Sequence, residues 1–184
     1  MTPYSLAFYM DAVTTGTLLG VGPADPPDRV TEALGSSFGE HSSDRGSMFR
    51  DYGLAEFFWE RTSGSDPWKG HHVTIQVHRL AYRDPELVNA AVRARYGRFT
   101  YRLRFDKLRR LLERRGVPLV EIPEYSCNAP YFRTFLQPDS RVAVTVIGAH
   151  GEYSTPDNLR VGDVYNIQTS MTPEDEAARR AQTG

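Results

Sequence analysis

The chain has 184 residues, of which 40% are hydrophobic and 24% charged, with a formal net charge of -1. That length and balance give a globular protein with a proper core and exclude a fibre or a disordered chain. A single cysteine, Cys127, excludes an internal disulfide and agrees with a reducing compartment.

The opening MTPYSLAFYMDAVTTGTLLGVG is moderately apolar but lacks the positively charged start of a signal peptide. Asp11 interrupts it before any run reaches the roughly 20 residues of a membrane span, so the expected location is the cytoplasm with no membrane partner. Pro26 and Pro27 then precede DRVTEALG, a short helix that Asp28 can cap and Gly35 can end, with Val30, Ala33 and Leu34 on one stripe. SSFGEHSSDRGS is a loop by composition.

Three antiparallel strands are expected next. The first lies near Met48 to Asp51 and turns at Gly53. The second covers Leu54 to Arg61, with Phe57 and Trp59 opposite Leu54 and Phe58. After a loop at TSGSDPWK, the third sets Val73, Ile75 and Val77 against a polar face of His72, Thr74, Gln76 and His78.

Asp84 to Tyr96 has a helical stripe, Arg98 to Arg104 alternates like a strand, and Asp106 to Arg115 is a second helix ending at Gly116. PLVEIP gives a short strand. Phe132 to Leu136 and Arg141 to Ile147 form a hairpin, and Asp163 to Thr169 a final strand. The fold class is therefore α+β: antiparallel sheet with helices packed on one face, built from two helix-plus-strands halves. One domain spans 1–170, divisible into lobes 1–82 and 83–170. Residues 171–184 start well as a helix but lack an apolar face, so a frayed surface helix or a disordered tail is expected.

Catalytic signatures are weak. His72 and His78 on one strand face would lie about 20 Å apart, and His71 should point away from His72, so no metal site is expected. Glu56 and Glu60 would lie about 13 Å apart, beyond the spacing of a glycosidase pair, and read better as a partner-facing acidic rim. Cys127 sits in a loop without a recognisable nucleophile motif, and no phosphate loop or dinucleotide fingerprint occurs. No cofactor is expected.

Charge is uneven. Between Arg93 and Arg115 ten basic residues face only Asp106 and Glu113, about +8 within a chain of net charge -1. As a strand, this segment would present Arg98, Arg102 and Arg104 on one face, with Lys107, Arg110 and Arg114 striping the next helix. Aromatics are not interleaved as stacking platforms among these arginines, which favours an acidic protein over nucleic acid.

ValThrGluAlaLeuGly at 30–35, AspTyrGlyLeuAlaGluPhePheTrp at 51–59, the strand at 72–80 and the run PheAspLysLeuArgArgLeuLeuGluArgArgGlyValProLeu together resemble actinobacterial immunity proteins of polymorphic toxin systems. The helix-plus-strands unit is similar to that of beta-lactamase inhibitory proteins and of the outer-membrane assembly lipoprotein fold. Unlike secreted inhibitors or lipoproteins, the sequence shows no secretion signal, lipobox cysteine or disulfide pair. The resemblance implies a non-enzymatic protein that binds and neutralises a cognate toxin. Its docking residues would be Glu56, Glu60, Trp68, His72, Thr74, Gln76 and His78, with Arg98, Arg102, Arg104 and Arg110 as an alternative surface. The competing readings are a small enzyme with a His/Cys/Glu site and a nucleic-acid-binding module using 93–115.

Overall fold

The computed structural model describes residues 4–43, 46–152 and 155–182. Eight strands form one continuous antiparallel sheet: β1 (Gly39–Ser42), β2 (Ser47–Asp51), β3 (Ala55–Glu60), β4 (Lys69–Ile75), β5 (Val120–Ile122), β6 (Phe132–Gln137), β7 (Val142–Ile147) and β8 (Val164–Gln168). Their spatial order is β1-β2-β3-β4-β8-β7-β6-β5, so two four-strand meanders meet at β4 and β8, and the order reads the same outward from that seam. Each meander follows a helix, α2 (Pro27–Leu34) or α4 (Phe105–Glu113), which gives the α+β architecture of two helix-plus-strands halves.

The seam is short. Thr74 pairs with Gln168 and Ile75 with Ile167. Beyond them the Thr169 N–H donates to the Val73 carbonyl and the Val73 N–H to Thr169 Oγ1, both at 2.9 Å. Val73, Ile75 and Ile167 are fully buried there, so apolar packing reinforces the few ladder bonds.

The core lies between one face of the sheet and α1 to α4. Phe57, Trp59, Val73, Ile75, Phe135, Val142, Val144 and Ile167 supply the sheet side by strict alternation. At the centre of the helical layer is α1 (Tyr4–Thr15), where Phe8, Tyr9, Met10, Ala12 and Val13 are buried against α3 (Ala90–Tyr96), α4 and β7. A helix apolar on nearly every side belongs inside, and this one occupies the stretch whose hydropathy fell short of a membrane span. No helix among the described residues is long and apolar enough to cross a membrane.

Helix α2 begins with Pro27 in its first turn and ends at Gly35, whose φ of 88° suits glycine. Asp28 lies inside the first turn rather than at the cap, where its charge still complements the helix dipole. Arg50 ties this helix to the sheet: Nη1 donates to the Pro27 carbonyl at 2.9 Å and to Thr31 Oγ1 at 2.8 Å, while Nε meets Glu40 at 2.7 Å.

Four sequence expectations change. The serine-rich linker contains β1, held by four register pairs to β2. The third expected strand stops at Ile75, and Val77–Tyr82 turns as a 3-10 helix that buries Val77 and Leu80. The expected helix from Asp84 shortens to a 3-10 turn (Pro85–Leu87) followed by α3, capped by Asn89 Oδ1 on the Ala91 N–H. Residues 98–104 form no strand; beyond the two-residue pairing of β4 with β8, Arg104 makes an isolated bridge to Asp163 and the Leu103 carbonyl accepts the Val164 N–H.

The tail folds as α5 (Pro173–Ala181) on the opposite face of the sheet, against β5 and β6. A Thr172–Asp175 capping box starts it, and no α5 residue is buried. Polar anchors replace an apolar stripe: Arg179 Nη1 reaches Glu124 at 2.6 Å and Arg141 Nη1 reaches Glu176 at 3.0 Å.

Candidate protein-binding face

Helices α1 to α4 cover one face of the sheet and α5 covers only the β5–β6 end of the other. Among the described residues no helix therefore lies over the β1–β4 half of that second face. Across it runs a row of rings in direct register, His41 opposite Phe49, Phe49 opposite Phe58, and Phe58 opposite His72. Ring centroids are 5.5, 5.4 and 4.2 Å apart along the row, and Phe58 and His72 are nearly coplanar in orientation at 9°. Cross-strand aromatic pairs of this kind stabilise the sheet by roughly 0.2–1 kcal/mol each. Here Phe49, Phe58 and His72 also remain half-buried and His41 exposed, so the rings are only partly used by the fold.

The row ends at a bulge. Phe58 pairs with His72 but Trp59 pairs with Gly70, which leaves His71 as the extra residue of β4. The bulge brings two adjacent side chains together. The His71 and His72 rings meet edge to face at 4.8 Å, with their Nδ1 atoms 2.5 Å apart, against the expectation that they point to opposite faces. One Nδ1–H must donate to the other nitrogen's lone pair. Burial, and then the neighbouring His71, push the His72 pKa down to about 4, so its ring is neutral at physiological pH. Glu60 stands 4.0 Å from His71 Nε2 with 64% of its side chain exposed. Together His41, Phe49, Phe58, Glu60, His71 and His72 line most of a groove of about 240 Å³.

The other expected docking residues separate. Glu56 is 7% exposed and clamped, receiving Arg79 Nη2 and, at 2.6 Å, Gln76 Nε2; it forms no rim with Glu60. Arg79 also grips Asp51, through contacts of 3.0 and 3.1 Å. Thr74 is buried at the seam, and Gln76 and His78 lie beyond the end of β4, so they do not extend a wet strand face. His78 instead stacks on Tyr165 at 4.3 Å and 5°, and burial lowers its pKa. Trp68 is half-buried against the core beneath the Arg61 guanidinium, 4.1 Å from its ring.

The arginine surface is partly spent on structure. Arg102 makes a two-pronged ion pair with Asp163 at 2.6 and 3.1 Å, and Arg104 reaches Asp106 and Asp163 at 3.4 and 3.8 Å. Arg110 lies 3.6 Å from Asp106. Arg98 is exposed and has no ion pair among the described residues. Cys127 is exposed, its Sγ 3.8 Å from Asn128 Oδ1, and no group of three or more His, Cys, Asp or Glu that could hold a metal occurs among the described residues.

His41, Phe49 and His71 are the site residues that sequence reasoning passed over. Finding the row requires β1, which its composition disguised, and pairing His71 with His72 requires the bulge. No protein-family model matches the chain, and no curated protein or solved structure matches it either.

Proposed function

We propose that this is a non-enzymatic protein-binding protein, an immunity protein that docks a cognate bacterial toxin on the uncovered β1–β4 face. The observation that carries the reading is the half-exposed row His41–Phe49–Phe58–His72, rings in contact across four adjacent strands with no helix over them among the described residues. Aromatic anchors in a shallow groove are the side chains that dominate binding energy at protein interfaces.

The chemistry of the groove selects its occupant. Phe49 and Phe58 offer ring faces, His72 stays uncharged, and exposed Glu60 supplies a carboxylate beside them. A basic protein surface fits best, with an arginine or lysine lying over the rings and its charge turned to Glu60. Holding the rings on a rigid sheet reduces the ordering that binding costs.

The test is co-expression with the product of the adjacent gene, scored by growth, together with retention of that product by the purified chain. Restored growth and a stable complex are expected, both lost in Phe58→Ala, whose fold survives with about 1–2 kcal/mol less stability from the two lost ring pairs. Neither rescue nor retention with the wild-type chain refutes the reading.

A further inference from the structure

A separate concavity of about 250 Å³ lies among the 3-10 turn, α3 and residues 97–101. Leu80, Val88 and Phe99 give it an apolar lining, and Arg83, Arg93 and Arg98 share its wall. None of the three arginines meets a carboxylate among the described residues. Arg83, in the left-handed region at φ 60°, lays its guanidinium 4.5 Å from the Tyr101 ring centroid. Arg93 donates to the Pro85 carbonyl and, at 3.0 Å, to that of Val88. The one lining carboxylate is Asp84, whose Oδ1 accepts the Glu86 N–H at 2.8 Å.

Three exposed guanidiniums against one carboxylate give the wall beside these apolar side chains a net positive charge, which attracts an anion. Guanidinium groups steadied by a ring or by carbonyls keep other N–H groups free for a carboxylate or phosphate oxygen. The space is larger than the ~150 Å³ cavity that accommodates benzene and smaller than the ~300 Å³ at which drug-sized pockets begin. Tyr101, 53% exposed, adds a ring for stacking.

We infer that this cavity binds a small organic anion built on a single flat ring, an aryl carboxylate or aryl phosphomonoester, with the anion on Arg83, Arg93 and Arg98 and the ring beside Tyr101. The inference goes beyond the protein-docking proposal and concerns different residues.

The full chain is titrated with phenyl phosphate and with benzoate while the amide signals of Gly97, Thr100 and Tyr101 are followed by NMR. Inorganic phosphate and benzyl alcohol separate the contribution of charge from that of the ring. Saturable shifts with a Kd of about a millimolar or tighter are expected for at least one aryl anion, about tenfold tighter than for either fragment. Arg98→Ala and Tyr101→Ala should each weaken that binding by roughly tenfold, with an unchanged thermal midpoint. The inference is overturned by no saturation with either aryl anion, by inorganic phosphate binding equally well, or by both variants binding as wild type. It is likewise overturned if a single-stranded oligonucleotide engages the same arginines more tightly, which would make the surface a nucleic-acid site.

Discussion

Replacing Asp163 with asparagine keeps the shape of a fully buried side chain and removes its charge. Three groups depend on that carboxylate: Arg102 with two bonds, Arg104 at 3.8 Å, and the Arg160 N–H at 2.9 Å. The site also fastens residues 97–104 to the sheet, because Leu103 accepts the Val164 N–H at 2.8 Å and the Phe105 N–H reaches Gly162 at 3.0 Å. Removing one partner of a buried ion pair typically costs about 3–5 kcal/mol. Arg102 is 28% exposed, so its freed guanidinium recovers part of that loss by hydration, leaving about 2–4 kcal/mol. For a chain of this size that corresponds to a fall in Tm of roughly 5–12 °C. Thermal and urea unfolding followed by circular dichroism would measure it, with Arg102→Met and the double variant completing a cycle whose coupling should be about 1–3 kcal/mol. An Asp163→Asn protein within about 0.5 kcal/mol of wild type would refute the reasoning.

Tyr9 is buried and its hydroxyl has no hydrogen-bond partner among the described residues, so Tyr9→Phe should stabilise the fold by about 1 kcal/mol; a loss of stability in urea unfolding would show a missed partner. Burial pushes the Glu124 carboxyl up, but hydrogen bonds from Thr134 and the Tyr125 N–H, with the Arg179 charge, outweigh it and hold it low. Its stabilisation is therefore present above the ordinary carboxylate range and lost as pH falls through the folded value. Hydrogen exchange should show α5 losing protection below about pH 4.3, and equal protection at pH 6 and pH 3 would contradict this. His72 should titrate near pH 4 by NMR and shift upward in Phe58→Ala; a wild-type midpoint above 6 would mean the ring is not desolvated. The unfolded imidazole takes its proton first, so stability from this group declines as pH falls from the ordinary histidine value of 6.5 toward 4. A Cβ at Gly70 would stand 1.5 Å from the Pro23 carbonyl oxygen, so Gly70→Ala should cost about 2–4 kcal/mol in urea unfolding, whereas Gly64→Ala, in open space, should change little.

Much of the fold was legible because burial writes a period into the chain. Val142, Val144 and Val146 alternate toward the helical core, although β7 is buried on its other face too, at Ala143 and Ile147, and β6, β7 and β8 lie close to where the pattern places them. The failures have separate physical causes. Strand β1 is exposed at every residue, so nothing apolar marks it. The α5 helix is held by Arg179 and Arg141 to carboxylates distant in sequence, contacts that no local period reveals. At Val77 the apolar alternation continues while the backbone turns, because a buried 3-10 residue and a buried strand residue carry the same side chain. The docking face was half legible: His72 and Glu60 were expected at the surface, but the half-buried Phe58 meets its stacking partners only through cross-strand register.

The position of β8 bears on how the chain is made. It is the last strand in sequence and sits at the middle of the sheet, between β4 and β7. As the chain leaves the ribosome, the edges of β4 and β7 stay open until residues 164–168 emerge to fill the gap. Any stop or frameshift upstream of Val164 leaves two unfilled edges facing one another, so such fragments should self-associate or be degraded rather than persist as half-proteins.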